Sequence, residues 1–375
     1  MNLDKIREEI DSIDKALCEL IVKRMDCSKE VAGYKLENNL PVFDKKRENA
    51  ILDKITKQSN QYGEQLKRIY NSLMEQSKSI QYSLIGGNIR DSFVEAPSPD
   101  SVKRVACQGV EGAYSHLTAI SLYKNATPLF YDTWQDVCKA VEKGEAEYGI
   151  LPVENSWAGS VHEVYDLLIN GDFYISMCAD AKIRHNLIGL KGADKSQITT
   201  VLSHSQALAQ CSDYLIANGY LKEQMANTAM AVKKVSQLND KRIAAIGSKY
   251  SADVYSLEVL DSAIASSEHN TTRFVSISKQ PQIMKKTDKI SVVLCLDNKS
   301  GTLYNLLACF ACCNMNLTKI ESRPIKGKQF EYLFYIDFEG NLYDNQTLGV
   351  LTTVKNDLPY FKLLGNYPEF NITLE

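Results

Sequence analysis

Three groups of side chains in this 375-residue sequence have types and spacings that could do chemistry. The first lies near the N terminus. Arg24 and Lys35 stand close to three helical turns apart, so both project from one face, with Cα atoms roughly 16 Å apart along the axis. Two long cationic side chains leaning toward each other leave a gap suited to a small dianion. Arg7 projects from a different face, roughly 25 Å from Arg24 on the same axis. It can reach that gap only from a second, antiparallel copy of the helix. Asp44, Arg47 and Glu48 share a face by i, i+3, i+4 spacing, as do Ser77 and Gln81. Taken singly, each of these residues fits a solvated charged stripe as well as a pocket; the joint pattern points to the pocket.

The second group gathers at strand ends. In YGILPVENSWAGSV (148–161) an apolar run ends in Glu154, Asn155, Ser156, Gly159 and Ser160. Asn155 and Ser156 fall just beyond the strand, where α/β sheets bind ligands. Ser160 and Glu163 have capping-box spacing, which gives Ser160 the role of capping the next helix. QGVEGAYS (108–115) sets two glycines before a helix start, where backbone N–H groups attract anions. SHSQALAQC (203–211) is another strand-to-helix turn, and HNTTRF (269–274) puts two threonines and an arginine before a strand. His116 and His204 sit at helix starts beside these motifs, where capping or packing accounts for both. No GxGxxG or other dinucleotide fingerprint is present, so no cofactor is expected. The third group, Cys309, Cys312 and Cys313, resembles half a metal site, but no second pair follows. A helix face of packed thiols is the reading adopted, and no metal is expected.

These groups need elements to hold them. Residues 3 to about 36 form one helical pattern, with Ile6, Ile10, Ile13, Leu17 and Leu20 stepping by four and three. Helices follow at about 44–58 and 63–84. Such a long helix leaves its apolar seam bare unless it packs on another copy, so a homodimer or higher homo-oligomer is expected. Residues 86–101 read as a linker rich in Gly, Pro and Ser. Short β-rich runs then alternate with helices, the pattern of a two-lobed α/β domain. From Lys289 the order is βαββαβ, of the ferredoxin-like kind. The net charge of -3 offers no basic surface for nucleic acid. No signal-peptide or membrane-spanning stretch is seen, and the ten cysteines sit in apolar patterns that suit a reducing cytosol. A cytoplasmic protein without membrane partners is expected.

Against this background, IREEIDSIDKAL, KRMDCSKEVAGYK, PVFDKKRE and MEQSKSIQ resemble the all-helical chorismate mutases over residues 1–85. The resemblance implies an intertwined dimer that rearranges chorismate to prephenate. Arg7 from the second copy, Arg24 and Arg47 would bind carboxylates, with Ser77 assisting. Lys35 and Gln81 would face the ether oxygen, and Asp44 and Glu48 the ring hydroxyl. The series GVEGAYS, PVENSWAGSV, SHSQALAQC, AAIGSKY and TTRF resembles prephenate dehydratase over 102–280. That implies loss of water and CO2 to give phenylpyruvate, with Thr272 at the leaving hydroxyl and Asn155, Ser156, Ser203 and Gln210 binding or orienting substrate. Arg273 would anchor a carboxylate or pair at the surface. Ser205 stands where the family usually has Pro. KSGTLYNLLACF and NLTKIESRP resemble ACT regulatory domains over 289–370. The implied effector is L-phenylalanine, held between subunits by Gly301 and Leu303 and by Glu321, Ser322, Arg323 and Pro324; a domain that only dimerises is the alternative. Thr302 departs from the family's more usual Ala. Together these imply a feedback-inhibited bifunctional enzyme of phenylalanine biosynthesis. Two rivals are a dehydratase with a decayed helical domain and an amino-acid-binding regulator. The absent nicotinamide fingerprint argues against a fused dehydrogenase.

Overall fold

The structure, a computed structural model, describes residues 2–374 except 39, 86–88, 268–269, 326 and 328–330. The first residues of the expected linker and His269 of HNTTRF lie outside the described residues. The chain divides into two compact units, Met1–Phe93 with Lys289–Leu363 and Val94–Asp288 with Leu364–Glu375.

The first unit begins with α1 (Leu3–Glu37), α2 (Lys45–Gln58) and α3 (Gly63–Ile85). Asp44 caps α2 by accepting from the Arg47 N–H at 3.0 Å. Along all of α1 only Ser28 and Ala32 are buried. Its expected apolar seam is bare, with Ile10, Ile13, Leu17 and Leu20 all about half exposed or more.

The second unit runs β1 (Val94–Glu95), β2 (Arg104–Gln108), α4 (Tyr114–Leu122), β3 (Thr127–Tyr131), α5 (Trp134–Glu142), β4 (Tyr148–Asn155), β5 (Gly159–Ser160), α6 (His162–Asn170) and β6 (Tyr174–Ile183). It continues through β7 (Asn186–Gly189), β8 (Thr200–Ser203), α7 (Ser205–Gln210), α8 (Ser212–Ala217), β9 (Leu221–Gln224), α9 (Thr228–Leu238), β10 (Ile243–Gly247), α10 (Lys249–Val254), β11 (Glu258–Asp261), β12 (Thr271–Ser278) and β13 (Gln282–Ile283). Two sheets make two lobes. One has the order β6-β12-β4-β2-β3, with β5 on β4; the other is β11-β7-β10-β8-β9. The chain crosses between lobes twice, between β6 and β7 and between β11 and β12. Backbone bonds tie the two crossings together, from the Ile183 N–H to the Asn270 carbonyl at 2.8 Å and from the Ile264 N–H to the His185 carbonyl at 3.0 Å.

The expected helix over 205–218 is broken at Cys211 into α7 and α8. Ser160 does not hold the N-cap position expected of it. Ser160 pairs with Glu154 in the β4–β5 hairpin, and Val161, with no side-chain bond, precedes α6. The reason is local: the Asn155 side chain folds the chain back at once, so Ser160 belongs to a strand before the helix can begin.

Beyond Lys289 the expected βαββαβ order is present as β14 (Lys289–Cys295), α11 (Thr302–Cys312), β15 (Leu317–Pro324), β16 (Tyr332–Glu339), α12 (Asn345–Asp357) and β17 (Tyr360–Tyr367). Both β14 and β15 pair antiparallel with β16. The C-terminal boundary differs from expectation, because the chain joins the second unit from Leu364. There β18 (Glu369–Leu374) runs parallel to β6, and Leu374 and Ile372 pack with Val105, Leu117 and Tyr123. Apolar residues at alternate positions of this last strand find a core to enter.

Helix α12 packs on α3 at Gly349, where an added Cβ would stand 3.1 Å from both the carbonyl oxygen and the Oγ of Ser79. Gly349→Leu is expected to destabilise the first unit by about 1–3 kcal/mol through overpacking, read as a lower melting temperature.

Candidate functional site

A cavity of about 430 Å³ lies between the two lobes of the second unit, a size suited to a small-molecule site. Five helices contribute first-turn or capping residues to its wall: Tyr114 and Ser115 for α4, Thr133 and Trp134 for α5, Val161 and Glu163 for α6, His204 and Gln206 for α7, and Asn227 and Thr228 for α9. No lysine or arginine lines it among the described residues. An anion held there would meet helix N-termini and amide donors, beside the carboxylates of Asp132 and Glu163. Leading into α4, Gly109 and Gly112 have φ of +104° and +87°, the left-handed region that favours glycine. A Cβ on Gly112 would also come 2.7 Å from the Ser251 Oγ.

Strand register brings the central pair together. Asn155 on β4 lies directly opposite Thr272 on β12. Continuing the pairing of Phe274 with Pro152 without interruption would set Thr272 against Glu154, but the register shifts between Arg273 and Phe274. This bulge beside Pro152, a residue that cannot donate to the ladder, re-aims Asn155. The Asn155 Oδ1 accepts from the backbone N–H groups of Trp157 and Ala158, both at 3.0 Å, and from the Gln206 Nε2 at 2.8 Å. Its Nδ2 donates to the Thr272 Oγ1 at 2.9 Å and to the Asn270 Oδ1 at 3.0 Å. Thr272 thus receives a hydrogen bond, and its own proton has no acceptor among the described residues. The hydroxyl is poised to donate to a ligand.

Gln210 and Asn270 also line the cavity. The Asn270 Nδ2 donates to the Gln210 Oε1 at 2.9 Å, and the His185 Nε2 stands 2.7 Å from the same oxygen. His185 is buried, and burial pushes its pKa down against the raising effect of the Gln210 bond. His204 caps α7 at the wall, while His116 is buried between Phe130 and Tyr250 and accepts from the Gly112 N–H at 3.1 Å. Desolvation lowers the pKa of both. Ser205 occupies the first position of α7, where Pro is tolerated for want of a needed N–H.

Three expected residues lie apart from the cavity. The Ser203 Oγ, fully buried, donates to the Ile246 carbonyl at 2.9 Å and joins β8 to β10. The Ser156 Oγ accepts from the Thr271 N–H at 3.0 Å on the exposed side of the hairpin. For Arg273 the structure shows the pairing alternative. Its guanidinium holds Asp180 at 2.7 and 2.8 Å and Glu369 at 2.9 Å, and it does not line the cavity. Strand alternation explains this, since successive residues of β12 face opposite sides of the sheet. These carboxylates raise the Arg273 pKa, Asp180 foremost. The donor set Cys178, Asp180 and Glu369 is close enough for a metal, but the arginine already supplies the positive charge there.

Sequence reasoning missed His185, Asn270, Gln206 and Asn227. Asn270 adjoins the TTRF motif and Gln206 lies within SHSQALAQC, so proximity to a named motif was the available signal. Asn227 caps α9 through its Oδ1, leaving a buried Nδ2 without a partner at the cavity wall.

In the first unit, α3 and the α1–α2 region gather several expected residues. The Arg24 Nη1 donates to the Ser77 Oγ at 2.6 Å and to the Leu73 carbonyl at 3.1 Å. The Lys35 Nζ donates to the Val42 carbonyl at 2.5 Å. Burial lowers its pKa, while Asp44 and Glu48 act to raise it. Lys78, unnoticed in the sequence, is buried and pairs with Glu75 at 2.9 Å and Glu48 at 3.8 Å. The Gln81 Nε2 donates to the Ser77 carbonyl at 3.2 Å, while its buried Oε1 has no partner among the described residues. Such an orphan is relieved by a ligand donor. Arg47 is exposed, and among the described residues Arg7 meets Asp4, at 3.7 Å, in the bare half of α1.

Of the remaining group, Gly301 precedes α11 with φ +88° and Leu303 is partly exposed. Glu321, Ser322, Arg323 and Pro324 lie on β15, with the Lys319 Nζ 3.5 Å from Glu321. A cavity of about 190 Å³ at the start of α11, lined by Glu75, Asp297, Thr302, Asn305 and apolar neighbours, includes none of these six.

Comparison with known proteins matches two separate parts of the chain. A family model for prephenate dehydratase matches residues 105–282, and one for chorismate mutase type II matches 6–82. A bifunctional chorismate mutase/prephenate dehydratase of Enterobacter agglomerans is 31% identical, covering 98% of this chain and 96% of the relative. Arogenate dehydratase 3 of Arabidopsis thaliana is 37% identical, covering 73% and 69%. The crystal structure of a prephenate dehydratase from Arthrobacter aurescens in complex with L-Phe aligns with a TM-score of 0.65 at 26% identity, covering 71% of this chain and 89% of that one.

The placement of Arg273 is open to test. Arg273→Gln leaves Asp180 and Glu369 without their cation and is expected to lower stability at neutral pH by about 1–3 kcal/mol. Wild-type melting with impaired ligand binding in the cavity would show instead that the guanidinium reaches the cleft.

Proposed function

This chain belongs to the family of bifunctional chorismate mutase/prephenate dehydratases, and on that premise we propose that its two reactions divide between the helical site of the first unit and the cleft of the second. The enzyme converts chorismate to prephenate, and prephenate to phenylpyruvate with loss of water and CO2.

The dehydratase assignment is carried by one observation, the Asn155 amide donating to the Thr272 Oγ1 at 2.9 Å. Expulsion of CO2 from the prephenate ring sends an electron pair toward the departing hydroxyl, and aromatisation drives the step. Thr272 donates a hydrogen bond to that oxygen. The Asn155 N–H stabilises negative charge building on Oγ1, which makes a weak acid a better donor. The carboxylate that stays with the product is held by helix N-termini and the free Asn227 Nδ2. A cleft without cations avoids over-stabilising the carboxylate that must lose its charge as CO2.

Chorismate rearrangement needs neither base nor nucleophile, only a folded substrate and stabilisation of charge on the breaking ether oxygen. In this reading Arg24, steadied by Ser77, and Arg47 bind carboxylates, with Arg7 supplied by a second copy. Lys35 and a turned Gln81 amide face the ether oxygen, while Asp44 and Glu48 take the ring hydroxyl. The bare seam of α1 supports a homodimer. Residues 289–363 act as an ACT regulatory domain, and the relative solved with L-Phe supports phenylalanine as the effector. Gly301, Leu303 and Glu321–Pro324 remain its proposed contacts across a subunit interface. Asp132 and Glu163 in the cleft lining favour a second reading, that the ammonium of arogenate is also accepted; comparing kcat/KM for arogenate and prephenate decides it.

Thr272→Ala is expected to abolish phenylpyruvate formation and leave chorismate consumption near wild type, whereas Arg24→Ala does the reverse. Loss of both activities in either folded variant refutes the two-site division. Asn155→Asp keeps the oxygen that the turn needs but removes the donor to Thr272. It should lower kcat for dehydration by about 10²–10³-fold, measured by phenylpyruvate release.

A further inference from the structure

The polar chain around Thr272 has a fixed starting point. The N–H groups of Trp157 and Ala158 can only donate, so the Asn155 atom 3.0 Å from both is the oxygen. Its other end is therefore NH2, and the Asn270 atom 3.0 Å away must be an acceptor. That leaves the Asn270 NH2 pointing at Gln210, 2.9 Å away, so the facing atom is the Gln210 Oε1. An amide oxygen cannot donate, and the His185 Nε2 lies 2.7 Å from it. The proton consequently sits on Nε2. Nδ1 is left bare 3.3 Å from the Tyr114 hydroxyl, which donates to the Arg184 carbonyl at 3.1 Å, in keeping with a ring 3% exposed, whose burial favours the neutral form.

We propose that His185 is a positioning residue of the dehydratase site, holding Gln210 and Asn270 in the single amide orientation that is compatible with the Asn155 NH2 resting on Thr272. The proposal rests on the dehydratase reading of the cleft. His185 does not line up with the leaving hydroxyl as an acid; it acts through its neighbours. Removing its N–H takes one of two donors from the Gln210 oxygen. The Asn270 Nδ2, at 2.9 Å, is then the donor left to that oxygen, and the reverse contact from the Gln210 Nε2 to the Asn270 Oδ1, at 3.5 Å, is too long to reinforce it. A turned Gln210 sets NH2 against NH2 at Asn270, and a turned Asn270 does the same at Asn155, drawing it off Thr272. The residues come from distinct parts of the fold. Asn155 and Thr272 belong to one lobe and Gln210 to the other, with His185 and Asn270 on the two crossings. The alignment thus depends on both lobes being in place.

The test uses the full chain. His185→Leu removes the donor, and His185→Gln returns an N–H to the same neighbourhood. His185→Leu is expected to lower kcat for prephenate dehydration by about 10–100-fold with a smaller change in KM, while His185→Gln recovers most of it. Chorismate consumption, on a separate unit, should be unchanged in both. Wild-type kcat in the Leu variant overturns the proposal, as does equal loss in both variants matched by equal loss of melting temperature. Should the Leu variant fail to fold, ¹⁵N NMR of the wild-type imidazole decides. A protonated Nε2 with a bare Nδ1 is required, and the opposite tautomer overturns the proposal. The NMR result needs no substrate, so it stands apart from the dehydratase reading, which fails if the wild-type enzyme leaves prephenate unconverted.

Discussion

The carboxamide of Asn155 is the hinge of the second unit's chemistry. Two backbone N–H groups of its own turn hold its oxygen, and everything polar around it takes a direction from that choice. The same turn folds the β4–β5 hairpin, so one side chain both shapes the wall and aims the donor. Asn155 is itself buried, which makes each satisfied bond stronger and each wrong orientation costlier. Gln206 from the opposite lobe completes the oxygen's coordination at 2.8 Å, so the turn is fully satisfied only when the lobes meet.

The two proposed sites treat charge in opposite ways. The helical site concentrates cations, with Arg24 and Lys35 near carboxylates that can hold a hydroxyl. The cleft between the lobes has none in its described lining. The difference follows from the chemistry. A rearrangement that keeps both carboxylates gains from ion pairs on each of them. A decarboxylative elimination would be slowed by a strong cation on the group that must become neutral CO2. Arg273 illustrates the point, because it sits beside Thr272 in sequence yet gives its charge to Asp180 and Glu369.

Helix α3 serves two neighbours. Ser77, Lys78 and Gln81 belong to the group around Arg24, and Ser79 and Ser83 lie against Gly349 of α12. A glycine at that crossing lets the helix backbones approach closely. The helical part and the βαββαβ part therefore share one compact unit, although a linker and the whole two-lobed unit separate them in sequence.

Periodicity and motif order in the sequence alone determined much of this protein. The three N-terminal helices, the alternating α/β stretch and the βαββαβ order were legible because each repeats a local pattern of apolar residues. Asn155, Gln210 and Thr272 were legible because they stand in motifs at strand ends. What only the tertiary structure decided depends on long-range register and on which face of a strand meets a cavity. The bulge beside Pro152 sets Asn155, not Glu154, opposite Thr272. Strand alternation turns Arg273 away, and Ser203 is consumed in joining two strands. His185 and Asn270 are 85 residues apart in sequence and meet only because the chain crosses twice between lobes. The final strand joins the second unit because its apolar face finds partners on α4 and β2, a destination that no local pattern encodes.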